Sequence, residues 1–121
     1  PLEMETVYGI GTDDVSAKTS VDVTATGFFS NGLNVTLNTG DDYLLTGPDG
    51  STIAYSIKCN GECANEFFVE NSEVRHSTIK VTGADNSISF KIDIEFDFTP
   101  LVPLTVGEYS DTFTLIFEPD V

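Results

Sequence analysis

Residues 88–98 read ISFKIDIEFDF, an unbroken alternation of apolar and polar side chains. Successive side chains of a β-strand point to opposite faces, so a period of two predicts a strand with one apolar face and one solvated face. In this interpretation Asp93 and Glu95 belong to the solvated face. The segment is long for a strand, and we expect it to bend or to cross a sheet edge.

Shorter segments with the same alternation lie on both sides of this stretch. The predicted strands are 15–29, 33–37, 53–58, 67–69, 79–81 and 112–118. Gly, Asn, Asp and Pro mark the turns between them, and residues 83–86 (Gly-Ala-Asp-Asn) are predicted to form a hairpin turn. About seven short strands with turns at this spacing predict an all-β, Greek-key sandwich. We expect residues 1–121 to form one domain.

Composition limits the function. The chain has 121 residues, 40% of them hydrophobic, which suffices for one domain with a real core. Twenty acidic and five basic residues give a net charge of -15, so nucleic acids and anionic membranes would be repelled. No apolar stretch approaches the roughly 20 residues that a membrane-spanning helix needs. The start, PLEME, is typical of a mature or trimmed chain.

The sequence offers little catalytic machinery. His76 is the only histidine, and any Ser-His-Asp triad would have to include it. It lies in a polar stretch that predicts a surface loop, and no phosphate-binding or dinucleotide-binding glycine motif is present. We therefore expect no enzymatic activity and no cofactor, with a small hydrolase that uses His76 as the competing hypothesis.

Two cysteines, Cys59 and Cys63, lie close together. An even count in a β-rich chain favours a disulfide and an oxidising compartment. The closed loop would be short, so the bond would shape a loop more than it stabilises the fold. Zinc would need two more soft ligands, and His76 alone is available. Two free thiols remain the alternative.

Loop carboxylates suggest a second class of function. Acidic residues in predicted loops could hold a hard cation such as Ca²⁺, although no EF-hand spacing is present and no metal site is assigned. They are Asp13, Asp14, Asp41, Asp42, Asp49 and Asp85. The alternative function is therefore a secreted carbohydrate- or calcium-dependent binding module.

Residues 106–117, VGEYSDTFTLIF, resemble the closing motif of chaperone–usher fimbrial (pilin) subunits. That motif is a Gly-x-Tyr-x-Asp turn followed by an alternating strand, and spore-coat-protein-U-like domains share it. Weaker similarity lies in 43–57 and 20–26, so the resemblance covers about a third of the chain. Pilins of the common types join two distant strands by a disulfide, whereas Cys59 and Cys63 are close and central.

The resemblance implies an immunoglobulin-like sandwich that either lacks one strand or is completed by a donated strand. It further implies a structural or adhesive subunit of a surface fibre, secreted through the periplasm and assembled by β-strand donation between subunits. The implied partners are neighbouring subunits, a periplasmic chaperone and usher, and a host or surface receptor. Tyr109 would have a structural role, packing under the turn.

Site residues also follow from the resemblance. The strand-accepting groove would be lined by apolar residues of the last strand and of the long strand: Phe113, Leu115, Phe117, Ile92, Ile94 and Phe96. The donor strand would come from the alternating segment with Val15, Ala17, Val21, Val23 and Ala25. Residues 1–14 would form an N-terminal extension, either part of the donor strand or added to the natural chain.

Overall fold

The computed structural model of the chain describes residues 2–8, 15–27, 31–38, 42–48, 50–63, 65–83, 87–98 and 108–119. Within these ranges the chain forms strands and no helix. In chain order the strands are β1 (Leu2–Tyr8), β2 (Val15–Thr26), β3 (Leu33–Leu37), β4 (Leu44–Thr46), β5 (Thr52–Ala54), β6 (Ser56–Gly61), β7 (Glu66–Glu70), β8 (Glu73–Val74), β9 (Thr78–Val81), β10 (Ser87–Phe98), β11 (Glu108–Phe113) and β12 (Leu115–Pro119).

The long alternating segment becomes β10, the second strand of a five-stranded sheet with the order β2-β10-β6-β7-β8. It runs antiparallel to β2 over twelve residues, from Ser87 opposite Thr26 to Phe98 opposite Val15. On its other side it pairs with β6. β10 stays in this one sheet because it pairs with β2 along its whole length, so the expected crossing of a sheet edge does not occur.

Two smaller sheets complete the described part of the chain. One has the order β12-β3-β9, and the other has the order β1-β11-β4-β5. The last strand changes sheet at Thr114, which separates β11 from β12. Every pairing in the described ranges is antiparallel.

Apolar side chains from all three sheets meet in one core. In β10 the apolar members of the alternation from Ile88 to Phe96 are buried, as predicted, while β3 contributes Val35 and β5 contributes Ile53, both fully buried. Phe90 of β10 and Phe117 of β12 bring the sheets together, with ring centroids 6.1 Å apart. The predicted all-β sandwich is confirmed, and it is consistent with an immunoglobulin-like fold.

The predicted hairpin at residues 83–86 is wrong. Residues 84–86 lie outside the described ranges, but the strands on either side belong to different sheets: β9 pairs with β3, and β10 pairs with β2 and β6. In the described ranges β9 and β10 do not pair with each other. The chain crosses from one layer of the sandwich to the other at this point.

The Gly-x-Tyr-x-Asp segment is built into the core of the fold. Tyr109 is fully buried, and its ring lies against Gly47, where a side chain would collide with it. The hydroxyl of buried Tyr55 donates a hydrogen bond of 2.5 Å to the Asp111 carboxylate. Both residues of the motif thus hold β11 against β4, β5 and the core, in agreement with the structural role expected for Tyr109.

Cys59 and Cys63 form a disulfide, with Cα atoms 5.8 Å apart. Both are buried, and the bond joins the end of β6 to the turn that leads into β7. Gly61 has a positive φ of 94° within this turn, a conformation that glycine adopts without steric cost. The prediction of a disulfide that shapes a short loop is confirmed over two free thiols.

Candidate strand-accepting edge

β12 lies at an edge of its sheet, and within the described ranges β3 is its one pairing partner. Just before β12, the amide of Asn38 donates a hydrogen bond of 2.9 Å to the carbonyl of Thr114. Alternate residues of a strand direct their backbone groups to opposite edges, so Thr114 and Ile116 face β3. The amides and carbonyls of Leu115 and Phe117 therefore point to the outer edge, which we call the β12 edge.

Pro119 ends the β12 edge. Its backbone nitrogen points to the outer edge, as do those of Leu115 and Phe117. Because proline has no N–H, a donor is missing from the outer edge and no hydrogen bond to β3 is lost. Proline at such a position removes a donor that another chain could use. The β12 edge therefore offers two amides and three carbonyls to an approaching strand.

The side chains around the β12 edge are unusually apolar for a surface. Ile116 is 41% exposed and Phe117 is 44% exposed, and among the side chains whose burial the structure describes, Val74 on β8 is the one other large apolar side chain that is comparably exposed. Phe117 contacts Phe90, which lies opposite the partly buried Val23 in the neighbouring sheet. Phe117 therefore packs against the inner face of the five-stranded sheet at β10.

Charge is also absent from this segment. Residues 112–117 carry no ionisable side chain, in a chain with twenty acidic residues. Asp111 before the segment accepts a hydrogen bond from Tyr55, and Glu118 is the first carboxylate after it. An incoming strand would therefore meet an uncharged ladder with an apolar flank, which is the form of an edge that favours strand addition.

The six predicted groove residues fall into two groups. Phe117 is exposed on β12, whereas Phe113 and Leu115 are buried beside it. The three residues of β10 are buried in a strand that is paired on both sides: Ile92, Ile94 and Phe96. Of the six, Phe117 alone presents side-chain surface to a partner.

The predicted donor residues all lie on β2. The structure pairs Val15, Ala17, Val21, Val23 and Ala25 with β10 of the same chain, opposite Phe98, Phe96, Ile92, Phe90 and Ile88. Candidate donor and half of the candidate groove are thus neighbours within one molecule. Donation of this strand to another copy stays a prediction.

The predicted N-terminal extension contains a strand of its own. β1 pairs antiparallel with β11, from Leu2 opposite Phe113 to Tyr8 opposite Glu108. A bulge between Met4 and Val7 places Val7 opposite Tyr109. Residues 9–14 lie outside the described ranges. Thus the extension covers one side of β11, and it is a second candidate for a strand that could be exchanged.

A buried carboxylate on the outer face of the five-stranded sheet was not foreseen. Asp93, predicted to be solvated, is 3% exposed. Ser20 of β2 and Asn60 of β6 each donate a hydrogen bond to it, and the Lys18 Nζ atom lies 3.7 Å from its Oδ2. Burial alone raises the pKa of Asp93. The two hydrogen bonds, with the charges of Lys18 and Lys91, outweigh burial and hold that pKa below its usual value.

The alternative hypotheses concerned His76 and the acidic residues of the loops. His76 is exposed in the loop between β8 and β9, as predicted. Of the loop acids considered for calcium, Asp42 is described and exposed, and the other five lie outside the described ranges. The part of the chain that the structure describes contains no group of three residues able to hold a metal ion.

Comparisons with protein-family models, with curated proteins and with solved structures give no match. Nowhere in the described ranges is there a helix long and apolar enough to cross a bilayer.

Proposed function

We propose that this protein is a structural or adhesive subunit of a surface fibre, in which subunits join by β-strand addition. The observation that carries the proposal is the β12 edge, where outward backbone groups of Leu115 and Phe117 adjoin the exposed side chains of Ile116 and Phe117. Such an edge is an aggregation hazard in a monomer, and an assembled subunit would cover it.

In the proposed mechanism, the backbone of the β12 edge supplies the hydrogen bonds and the Phe117 ring supplies an apolar contact. An alternating strand from a neighbouring subunit would pair with Leu115 and Phe117 and place apolar side chains against the Phe117 ring. A periplasmic chaperone would occupy the same edge before assembly, and an usher would mediate the exchange at the cell surface. The protein has no catalytic role in this proposal.

The test compares two lysine substitutions at equally exposed apolar positions on different edges. Phe117→Lys places a charge on the β12 edge, and Val74→Lys, the matched control, places one on β8. A charge on an edge strand opposes strand pairing. We expect the unmodified chain and the Val74→Lys chain to form oligomers that resist dissociation, and the Phe117→Lys chain to remain monomeric in size-exclusion chromatography with light scattering.

Amide hydrogen exchange gives a residue-level check. The amides of Ile116 and Glu118 face β3 and should be protected in monomer and oligomer alike, whereas those of Leu115 and Phe117 should gain protection only on assembly. A chain that stays monomeric at high concentration, with Leu115 and Phe117 already protected, would remove the basis of the proposal. Oligomers that the Phe117→Lys substitution leaves intact would also contradict it.

A further inference from the structure

We propose that Asp22 and Asp93 together fix the register in which β2 pairs with β10, by excluding a pairing that is shifted by two residues. The inference rests on the pairing seen in the structure. It holds whether β2 comes from the same copy or, as in the proposed function, from a neighbouring one.

The apolar face of β2 does not prevent β2 from pairing with β10 in a register that is shifted by two residues. A one-residue shift would turn every side chain to the opposite face, but a two-residue shift keeps the faces unchanged. In the observed register, Val21 lies opposite Ile92 and Thr19 opposite Ile94. Moving β2 so that Val23 lies opposite Ile92 would place Val21 opposite Ile94, so both of these central isoleucines would face a valine.

The opposite two-residue shift is excluded by packing. It would place Thr19 opposite Ile92 and Ala17 opposite Ile94, which lie in the fully buried centre of β10. Ile92 would face Thr19 in place of Val21, and branched apolar partners would be gained only nearer the ends of the strand, at Ile88 and Phe96. Only the first shift therefore needs a separate barrier.

The outer face of the sheet supplies that barrier. In the observed register Ser20 lies opposite Asp93 and donates a hydrogen bond to it, and Asp22 lies opposite Lys91, with 4.0 Å between Nζ and Oδ1. The first shift would bring Asp22 opposite Asp93, whose side chain is 5% exposed. Two like charges directly opposite each other disfavour the shifted pairing, and Asp22 would also lose Lys91.

The connection to the next strand permits the shift. Residues 27–32 connect β2 to β3. The first shift would draw two of these six residues into the pairing with β10, so four residues would remain to connect the two strands. Such a length is common between strands. Charge on the outer face, not chain length, is then what selects the register.

Engineered cysteine pairs can report the register directly in the full chain. Thr24 lies opposite Ser89, and all of Thr24, Thr26 and Ser89 are exposed. In the observed register the diagonal pair of Thr26 and Ser89 is separated by about 7–8 Å, beyond the Cβ separation of about 4 Å that a disulfide spans. The pair T24C/S89C therefore reports the observed register, and T26C/S89C reports the shifted one.

Peptide mapping by mass spectrometry would distinguish the new cross-link from the Cys59–Cys63 bond. In the T26C/S89C chain, Asp22→Asn should raise the cross-linked fraction about tenfold, because it removes the like-charge contact. The Ser20–Asp93–Asn60 contacts remain in that variant, so folding is retained. Asp93→Asn should act in the same direction. Glu66→Gln, at an exposed acid on β7 that does not face β2 in either register, is the control and should have no effect.

An unchanged cross-linked fraction in the Asp22→Asn chain would overturn the proposal. A rise caused by Ser20→Ala alone would overturn it as well, because it would show that the hydrogen bond to Asp93 sets the register and that repulsion does not. The oligomeric state, measured on the same samples, tests the proposed function separately. A fixed register in a chain that stays monomeric would contradict the proposed function alone. Assembly of a chain whose register is unaffected by Asp22 would contradict the register proposal alone.

Discussion

Gly47→Ala tests how tightly the Gly-x-Tyr-x-Asp segment is packed. A Cβ atom at Gly47 would lie 2.5 Å from Cζ and 2.8 Å from Cδ2 of the Tyr109 ring, well inside the contact distance of about 3.5–4.0 Å. The ring is fully buried and cannot move into solvent. Gly47 is also held in place, since its amide donates to the carbonyl of Ser51 and its carbonyl accepts from the amide of Gly50.

Because neither partner can move freely, the cost should lie near the upper end of the range for overpacking, about 2–3 kcal/mol. For a domain of this size that corresponds to a melting temperature lower by about 8–12 °C. Urea unfolding at constant pH measures the free energy directly. The second arm of the experiment is a double-mutant cycle with Tyr109→Leu, which removes the ring atoms that the new methyl group would meet.

In the Tyr109→Leu background, Gly47→Ala should cost little. Two results would refute the reasoning: a cost below about 0.5 kcal/mol in the otherwise native chain, which is the range of neutral surface substitutions, or an equal cost in both backgrounds. The second result would mean that the backbone at Gly47, and not the Tyr109 ring, requires glycine.

Two further predictions concern stability. Since the folded protein holds the pKa of Asp93 below its unfolded value, the stabilisation is present above the unfolded pKa and is lost as the pH falls through the folded pKa. Urea melts between neutral and strongly acidic pH should show a smaller acid loss for Asp93→Asn than for Asp97→Asn, and equal losses would contradict the assignment. Reducing the Cys59–Cys63 bond, which closes a very short loop, should lower the free energy of unfolding by about 2 kcal/mol. The same reductant should not affect a Cys59→Ala/Cys63→Ala chain, and an unchanged melt of the native chain on reduction would contradict the estimate.

Local alternation was enough to predict β2, β3, β9 and β10 and which side chains of β10 face the core, whereas β1, β4 and β8 were not predicted. Ile92, Ile94 and Phe96 are buried as the pattern indicates, and the polar residues between them lie on the outer face. The pattern does not say which strands pair, because pairing depends on residues far apart in the chain. The predicted hairpin at 83–86 failed for this reason: β10 pairs with β2, more than 60 residues earlier, and not with β9.

The candidate site was foreseen in part. From the resemblance of residues 106–117 to a closing pilin strand, Phe117 was predicted to line the strand-accepting groove, and it is exposed on β12. It did not indicate that Ile116 is also exposed. The burial of Asp93 could not be read from the sequence either, because an outward position in a strand becomes buried only when neighbours such as Ser20, Asn60 and Lys18 cover it.

Pro119 limits how assembly at β12 can proceed. Beyond Phe117, the next outward-facing residue of the β12 edge is Pro119, which can accept a hydrogen bond through its carbonyl but has no N–H to donate. A paired strand could therefore exchange hydrogen bonds with the β12 edge over only a few residues. One short segment can be held there, but two subunits could not merge their sheets along a long continuous seam. Growth would then be confined to a single discrete junction per subunit, which separates an ordered fibre from open-ended amyloid-like stacking.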